Sequence, residues 1–354
     1  MTVLQSIAAP KTSLSTMNDG PQTSEVLANP EVDAVCCGGE EHCSGDLSPN
    51  ATGILAPREG CPPPLQWREI LDAYRLQSSA WKLLTSAGEL SGRVWGEGPT
   101  VLFLNGLSGT SELFALTAYL LKPKFRCVLL DYPSGRGVTW PRLVAAIEHS
   151  IEQFADGDGC HLFATTFGCA LALESAKTLG TRVRSLTLQG AFAHLPLTIF
   201  ERLAASIARW LPGRSASIPA WSALQERSHR LWFPPIDSTR WSFYLENAGQ
   251  TRIADVASRF AMLRQFDVRG ELQNFETPTL LLQVEGEGPI QARCREELAS
   301  LLPNGRTEFL HTTGLLTFLT HPHRLARILK EFTESLNGTL NAATSHNTAT
   351  VSAH

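Results

Sequence analysis

The sequence predicts an α/β protein: a mostly parallel central sheet flanked by helices, with a helical lid insertion. Three observations carry this. Short apolar runs recur along the chain and end at glycine or a turn, as strands buried on both faces of a parallel sheet do. Segments of helical period separate them, and such alternation builds right-handed crossovers onto one sheet. One stretch, about 191–270, breaks the alternation and is helical and aromatic-rich, which marks an insertion rather than a further layer.

The elements follow in order. A short amphipathic segment covers Leu65 to Tyr74. Trp81 to Ala87 and Glu89 to Trp95 form a hairpin around Gly88. The run from Pro99 to Gly106 is a buried strand, then come a helix near 111–121, a strand Cys127 to Asp131 and a helix near 139–154. Strand Cys160 to Ala164 runs into a sharp turn and the helix Gly168 to Leu179, and strand Ser185 to Gln189 follows. Beyond the insertion lie strand Pro278 to Val284, a helix near 291–301, strand Thr307 to Leu310 and a last helix near 321–335. The ordered domain is thus 64–335. Residues 1–62 and 336–354 are rich in small and polar residues without apolar period and are expected to be disordered.

Composition narrows the function classes. The chain has 354 residues, 43% of them hydrophobic, and a formal net charge of -4, so no nucleic-acid partner is expected. No apolar run reaches the ~20 residues that span a bilayer. The start lacks the basic-then-apolar pattern of a secretory signal. A cytoplasmic location is expected, and Asn50-Ala51-Thr52 and Asn337-Gly338-Thr339 then read as chance glycosylation matches. The eight cysteines are too few and scattered for a disulfide framework. Cys36, Cys37, His42 and Cys43 cluster without the paired spacing of a metal site, and no metal or cofactor is expected. Apolar residues at 195, 199, 203, 207, 210 and 211 share a helical face. Packing within the lid is the plainer reading, and a lipid-facing surface the sharper one.

The turn between strand and helix at 160–177 carries the functional reading. Ala164-Thr165-Thr166-Phe167-Gly168 resembles the nucleophile elbow of the α/β-hydrolase superfamily, whose pattern is G-x-S-x-G. Small residues stand at both glycine positions, and Thr166 stands where the resemblance implies a serine. An elbow residue takes positive φ, which a β-branched side chain resists. The resemblance places the general base after the last strand, in a Gly-His pattern, but here Gly314 is followed by Leu315, which accepts no proton. His311 and His321 lie nearby and read as surface or capping residues. The acid position aligns with Gly288, with Glu285 or Glu287 as the substitutes at hand. The oxyanion region survives better: Asn105, Gly106 and Leu107 follow the third strand, and the amide of Phe167 follows the elbow.

A narrower similarity, to the maspardin branch of the superfamily, rests on Ser108-Gly109-Thr110, Leu130-Asp131-Tyr132-Pro133, Pro303-Asn304-Gly305-Arg306 and Phe243 to Arg264 with Leu245, Ala254, Ser258 and Leu263. It implies a binding protein without the histidine. The expectation is a pseudo-hydrolase with a degenerate triad, binding a protein or small-molecule ligand at the lid and pocket. The alternative is a weak hydrolase acting on a small ester or acyl substrate through Thr166. A membrane-peripheral role for the aromatic lid ranks last.

Overall fold

The computed structural model describes residues 66–351, apart from Arg136 and Ile236, with side chains as far as Leu336. The expected N-terminal extension, its cysteine cluster and Asn50 lie outside the described residues.

Eight strands form one sheet in the order β1-β2-β4-β3-β5-β6-β7-β8. They are β1 Ser79–Thr85, β2 Gly88–Trp95, β3 Thr100–Leu104, β4 Arg126–Asp131, β5 Cys160–Thr165, β6 Val183–Gln189, β7 Thr279–Val284 and β8 Gly305–Leu310. The β1–β2 hairpin closes Thr85 on Gly88, whose φ of 115 suits a residue without a side chain. β2 also pairs antiparallel with β4, and every later pairing is parallel. The continuous apolar runs are the central strands: every residue of β3 and of β5 is buried. β1 and β8 are the sheet edges, and both are largely exposed.

Helices α1 Trp67–Gln77, α2 Ala115–Leu121, α3 Trp140–Phe154 and α4 Phe167–Leu179 accompany the first six strands. The insertion holds α5 Ile199–Ala208, α6 Trp221–His229, α7 Ser238–Gly249 and α8 Ile253–Met262. The chain ends with α9 Pro289–Leu301, the short α10 Thr317–Thr320 and α11 Pro322–Val351. Helix α2 packs against α1 and α11, and α3 against α4. A stack of Phe103, Phe114, Phe163 and Phe318, with centroids 4.8–5.7 Å apart, ties α10 to the sheet.

Two expectations change. The last helix does not stop near 335 but runs to Val351, where a disordered tail was expected. No proline interrupts that stretch, and an existing helix propagates at little cost per residue. The apolar face of α5 does not pack within the lid: Ile199, Phe200, Leu203 and Ile207 are exposed, as are Trp210 and Leu211 just past the helix end. The helix instead buries Ala205 and Glu201, whose carboxylate closes a capping box with Thr198. No helix among the described residues is long and apolar enough to cross a membrane.

Candidate functional site

The end of β5 and the start of α4 build the elbow. Thr166 has φ 45 and ψ -106, the strained conformation expected of the nucleophile position, here held by a β-branched residue. Its amide donates to Gln189 O at 2.9 Å, and its carbonyl accepts from Cys169 at 3.0 Å, so the backbone fixes the turn. Gly168 must be glycine, because a Cβ there would stand 2.6 Å from the carbonyl oxygens of Leu104 and Asn105. At Gly106 a Cβ would lie 2.5 Å from Thr166 Oγ1, so the loop after β3 runs directly against the threonine hydroxyl.

That hydroxyl has no hydrogen-bond partner among the described residues, and no imidazole serves it. His311 is exposed, with its ring edge-to-face with Phe309 at 4.3 Å between centroids. His321 precedes α11, and its Nδ1 lies 3.0 Å from Thr320 Oγ1. His311 thus lies at the surface and His321 half-buried at the turn between α10 and α11. Leu315 approaches instead. A Cβ built on Gly190 would lie 3.1 Å from Thr166 Cγ2 and 3.6 Å from Leu315 Cδ2, so methyl groups of both residues face the same glycine.

The acid side is also occupied. Gly288 is the residue before α9 and has no side chain to offer. Glu287 forms a buried ion pair with Arg295, whose Nη2 and Nε lie 2.8 and 2.9 Å from one carboxylate oxygen. Burial pushes the Glu287 carboxyl above its usual range, with Arg295 opposing. Glu285 is exposed and accepts from the Thr312 amide at 2.7 Å. Neither glutamate has a histidine to orient.

Trp232 lies between the loop after β7 and the loop after β8. A Cβ on Gly314 would stand 2.5 Å from its Cδ1, and a Cβ on Gly286 would overlap the far edge of the indole. The two glycines make room for the ring where an acid loop and a histidine loop would face each other. Behind them, buried Gln189 donates to Gly314 O at 3.3 Å and accepts from Thr317 Oγ1 at 2.6 Å, which pins the Leu315 loop to β6.

The oxyanion region keeps its backbone. The amides of Leu107 and Phe167 have no protein partner among the described residues. Asn105, expected among the binding residues, is buried: its Nδ2 donates to Leu130 O at 3.1 Å and its backbone carbonyl accepts from the Tyr132 hydroxyl at 2.8 Å. The lid clamps this loop. Asn247 accepts from the Thr110 amide and donates to Thr110 Oγ1, both at 2.8 Å, and Thr251 Oγ1 accepts from the Gly109 amide at 2.8 Å. Buried Arg259 donates to Leu107 O at 2.8 Å, with its guanidinium 5.1 Å over the Tyr132 ring. A cleft of about 620 Å³ opens to one side, lined by Arg75, Trp81, Arg93, Asp131 and Asn247 among others, without Thr166.

Sequence reasoning missed Trp232, Gln189 and Arg259 as site residues. A polar residue ending an apolar strand was the available signal for Gln189. Nothing local distinguished Trp232 from the other lid aromatics. No group of three His, Cys, Asp or Glu among the described residues is placed to hold a metal ion.

Strand order, elbow and lid define an α/β-hydrolase scaffold. The sequence pattern of the alpha/beta hydrolase family matches residues 101–328, and the chain belongs to that family. A protein named as a carbamate hydrolase, RutD, of Caulobacter sp. (strain K31), is 25% identical over 250 residues, 61% of this chain and 83% of its own. A hydrolase from Pseudomonas aeruginosa PA01 superposes with a TM-score of 0.60 at 19% identity, covering 72% of this chain and 98% of its own. A thermophilic esterase from Thermogutta terrifontis does so with 0.61 at 16%, covering 73% and 99%. These two likenesses carry the fold alone.

Proposed function

We propose that this chain is a non-catalytic member of its family, a binding scaffold whose lid and former active-site surface contact a small-molecule or protein ligand. The observation that carries the reading is the surroundings of the Thr166 hydroxyl. A hydroxyl nucleophile transfers its proton to a base as it attacks. Here the side chain at the histidine position is Leu315, and Trp232 fills the space between the loops that would bring an acid and a histidine together. The unpartnered amides of Leu107 and Phe167 remain able to hold a carbonyl or carboxylate oxygen without turnover. The similarity to the maspardin branch, on which the family match does not bear, points the same way. A cytoplasmic location belongs to the same proposal, because the buried free cysteines Cys127, Cys160, Cys169 and Cys294 suit a reducing compartment.

Steady-state hydrolysis of an activated ester and an activated carbamate tests it. Wild type and Thr166→Ala are expected to give equal rates. A wild-type rate above background that the variant loses would overturn the proposal in favour of a hydrolase acting through Thr166. That second reading has specific support: the elbow keeps φ 45 at the cost of strain, both oxyanion amides lack a protein partner among the described residues, and one relative is named as a carbamate hydrolase.

A further inference from the structure

We propose that the exposed face of α5 docks on an anionic lipid surface, whatever the chemistry at Thr166. At about 100° per residue, Ile199, Phe200, Leu203 and Ile207 fall within roughly one third of the helix circumference, and Trp210 and Leu211 follow, exposed, just past the helix end. Phe200 is 79% exposed, Ile207 57% and Trp210 58%. The opposite face, at Glu201 and Ala205, is the one turned into the protein. An apolar stripe directed at solvent on a helix anchored by its back lies in a membrane interface with the stripe among the acyl chains.

Charge identifies the occupant. From 195 to 225 the charged residues are Glu201, Arg202, Arg209 and Arg214. Glu201 is 3% exposed and closes the cap of α5, whereas all three arginines are exposed. On the same period Arg202 falls about 60° outside the edge of the stripe, and Arg209, at the C-cap, sits 5.6 Å from the exposed Trp210 ring. The segment therefore presents positive charge and apolar surface together, in a chain whose formal net charge is -4. A second copy fits less well, because a two-fold contact through this face would set arginines against arginines. An anionic leaflet satisfies both features at once.

Co-sedimentation of the full chain with vesicles tests the proposal, using phosphatidylcholine alone and phosphatidylcholine mixed with phosphatidylserine. Preferential partition into the mixed vesicles is expected. Phe200→Ser with Ile207→Ser removes two side chains from the interface and is expected to weaken partition at least tenfold. Arg202→Gln, Arg209→Gln and Arg214→Gln together are expected to weaken it on the order of a hundredfold, at several-fold per arginine. All five positions are exposed, and an unchanged urea midpoint verifies the fold. Equal partition into both vesicle types, or partition that the Phe200 and Ile207 changes leave intact, overturns the proposal. So does an absence of binding, or a concentration-dependent dimer in sedimentation velocity that the same changes abolish.

Discussion

The wedge of Trp232 makes a prediction that can be worked from distances. Gly314→Ala introduces a Cβ 2.5 Å from Trp232 Cδ1, 2.6 Å from Cγ and 3.1 Å from Cβ. Gly314 does not have positive φ, so its backbone accepts alanine and the penalty comes from the ring. Over-packing of this kind costs about 1–3 kcal/mol. The indole is held from its other side by Gly286, so it cannot swing clear. Trp232→Ala removes a half-buried ring and should itself cost about 2 kcal/mol, roughly half of a fully buried truncation. In that background Gly314→Ala has little left to strike. It should be near neutral or stabilise by about 0.5 kcal/mol through the unfolded chain. The coupling is then about 1–3 kcal/mol, measured by urea unfolding of the four proteins of the cycle. Equal costs of Gly314→Ala in both backgrounds would refute the wedge, and with it one support of the proposed non-catalytic reading.

Three further outcomes follow from the same structure. Thr166→Gly relieves a β-branched residue at φ 45, worth about 1–3 kcal/mol, against about 1 kcal/mol of added chain entropy. The variant should therefore be at least as stable as wild type in urea, and a clear loss of stability would show that the elbow is not strained. Arg259→Ala leaves Leu107 O without its charged donor under the lid and should cost about 2–3 kcal/mol. A loss below about 0.5 kcal/mol would contradict the clamp. His161 is buried on β5 against Ser185, and burial pushes its imidazole down to about 4 from 6.5. A base whose folded pKa is depressed binds fewer protons folded than unfolded between those values, so stability is lost as pH falls from about 6.5 toward 4. His229, also pushed down to about 4 by burial, contributes in the same window, so His161→Gln should lessen the slope of the urea-midpoint profile there, and an unchanged slope would exclude His161 as a source.

The sheet was legible because its central strands are buried on both faces. The runs at 100–104, 127–131 and 160–165 need no knowledge of their neighbours to declare themselves. The elbow was legible for a similar reason: a strand, a tight turn and a helix impose small residues locally, at Ala164 and Gly168, whichever residue stands at 166. The positions of Leu315 and Gly288 could also be read, because each keeps a fixed offset from a strand end. What stands between the loops after β7 and β8 could not. Trp232 reaches Gly286 and Gly314 across some fifty and eighty residues of chain respectively, a long-range fit that no periodicity records. The face of α5 was ambiguous for another reason. An apolar stripe has the same spacing whether it meets a core or solvent, and the buried capping box at Thr198 and Glu201 shows which side is turned inward.

The central claim is that Thr166 takes no acyl group. Intact-mass measurement of the full chain after brief mixing with an activated ester and acid quench tests it most directly. The account predicts no adduct that maps to Thr166, in wild type as in Thr166→Ala. An acyl adduct localised to Thr166 in wild type and absent from the variant would contradict it, and would make the chain a working threonine hydrolase.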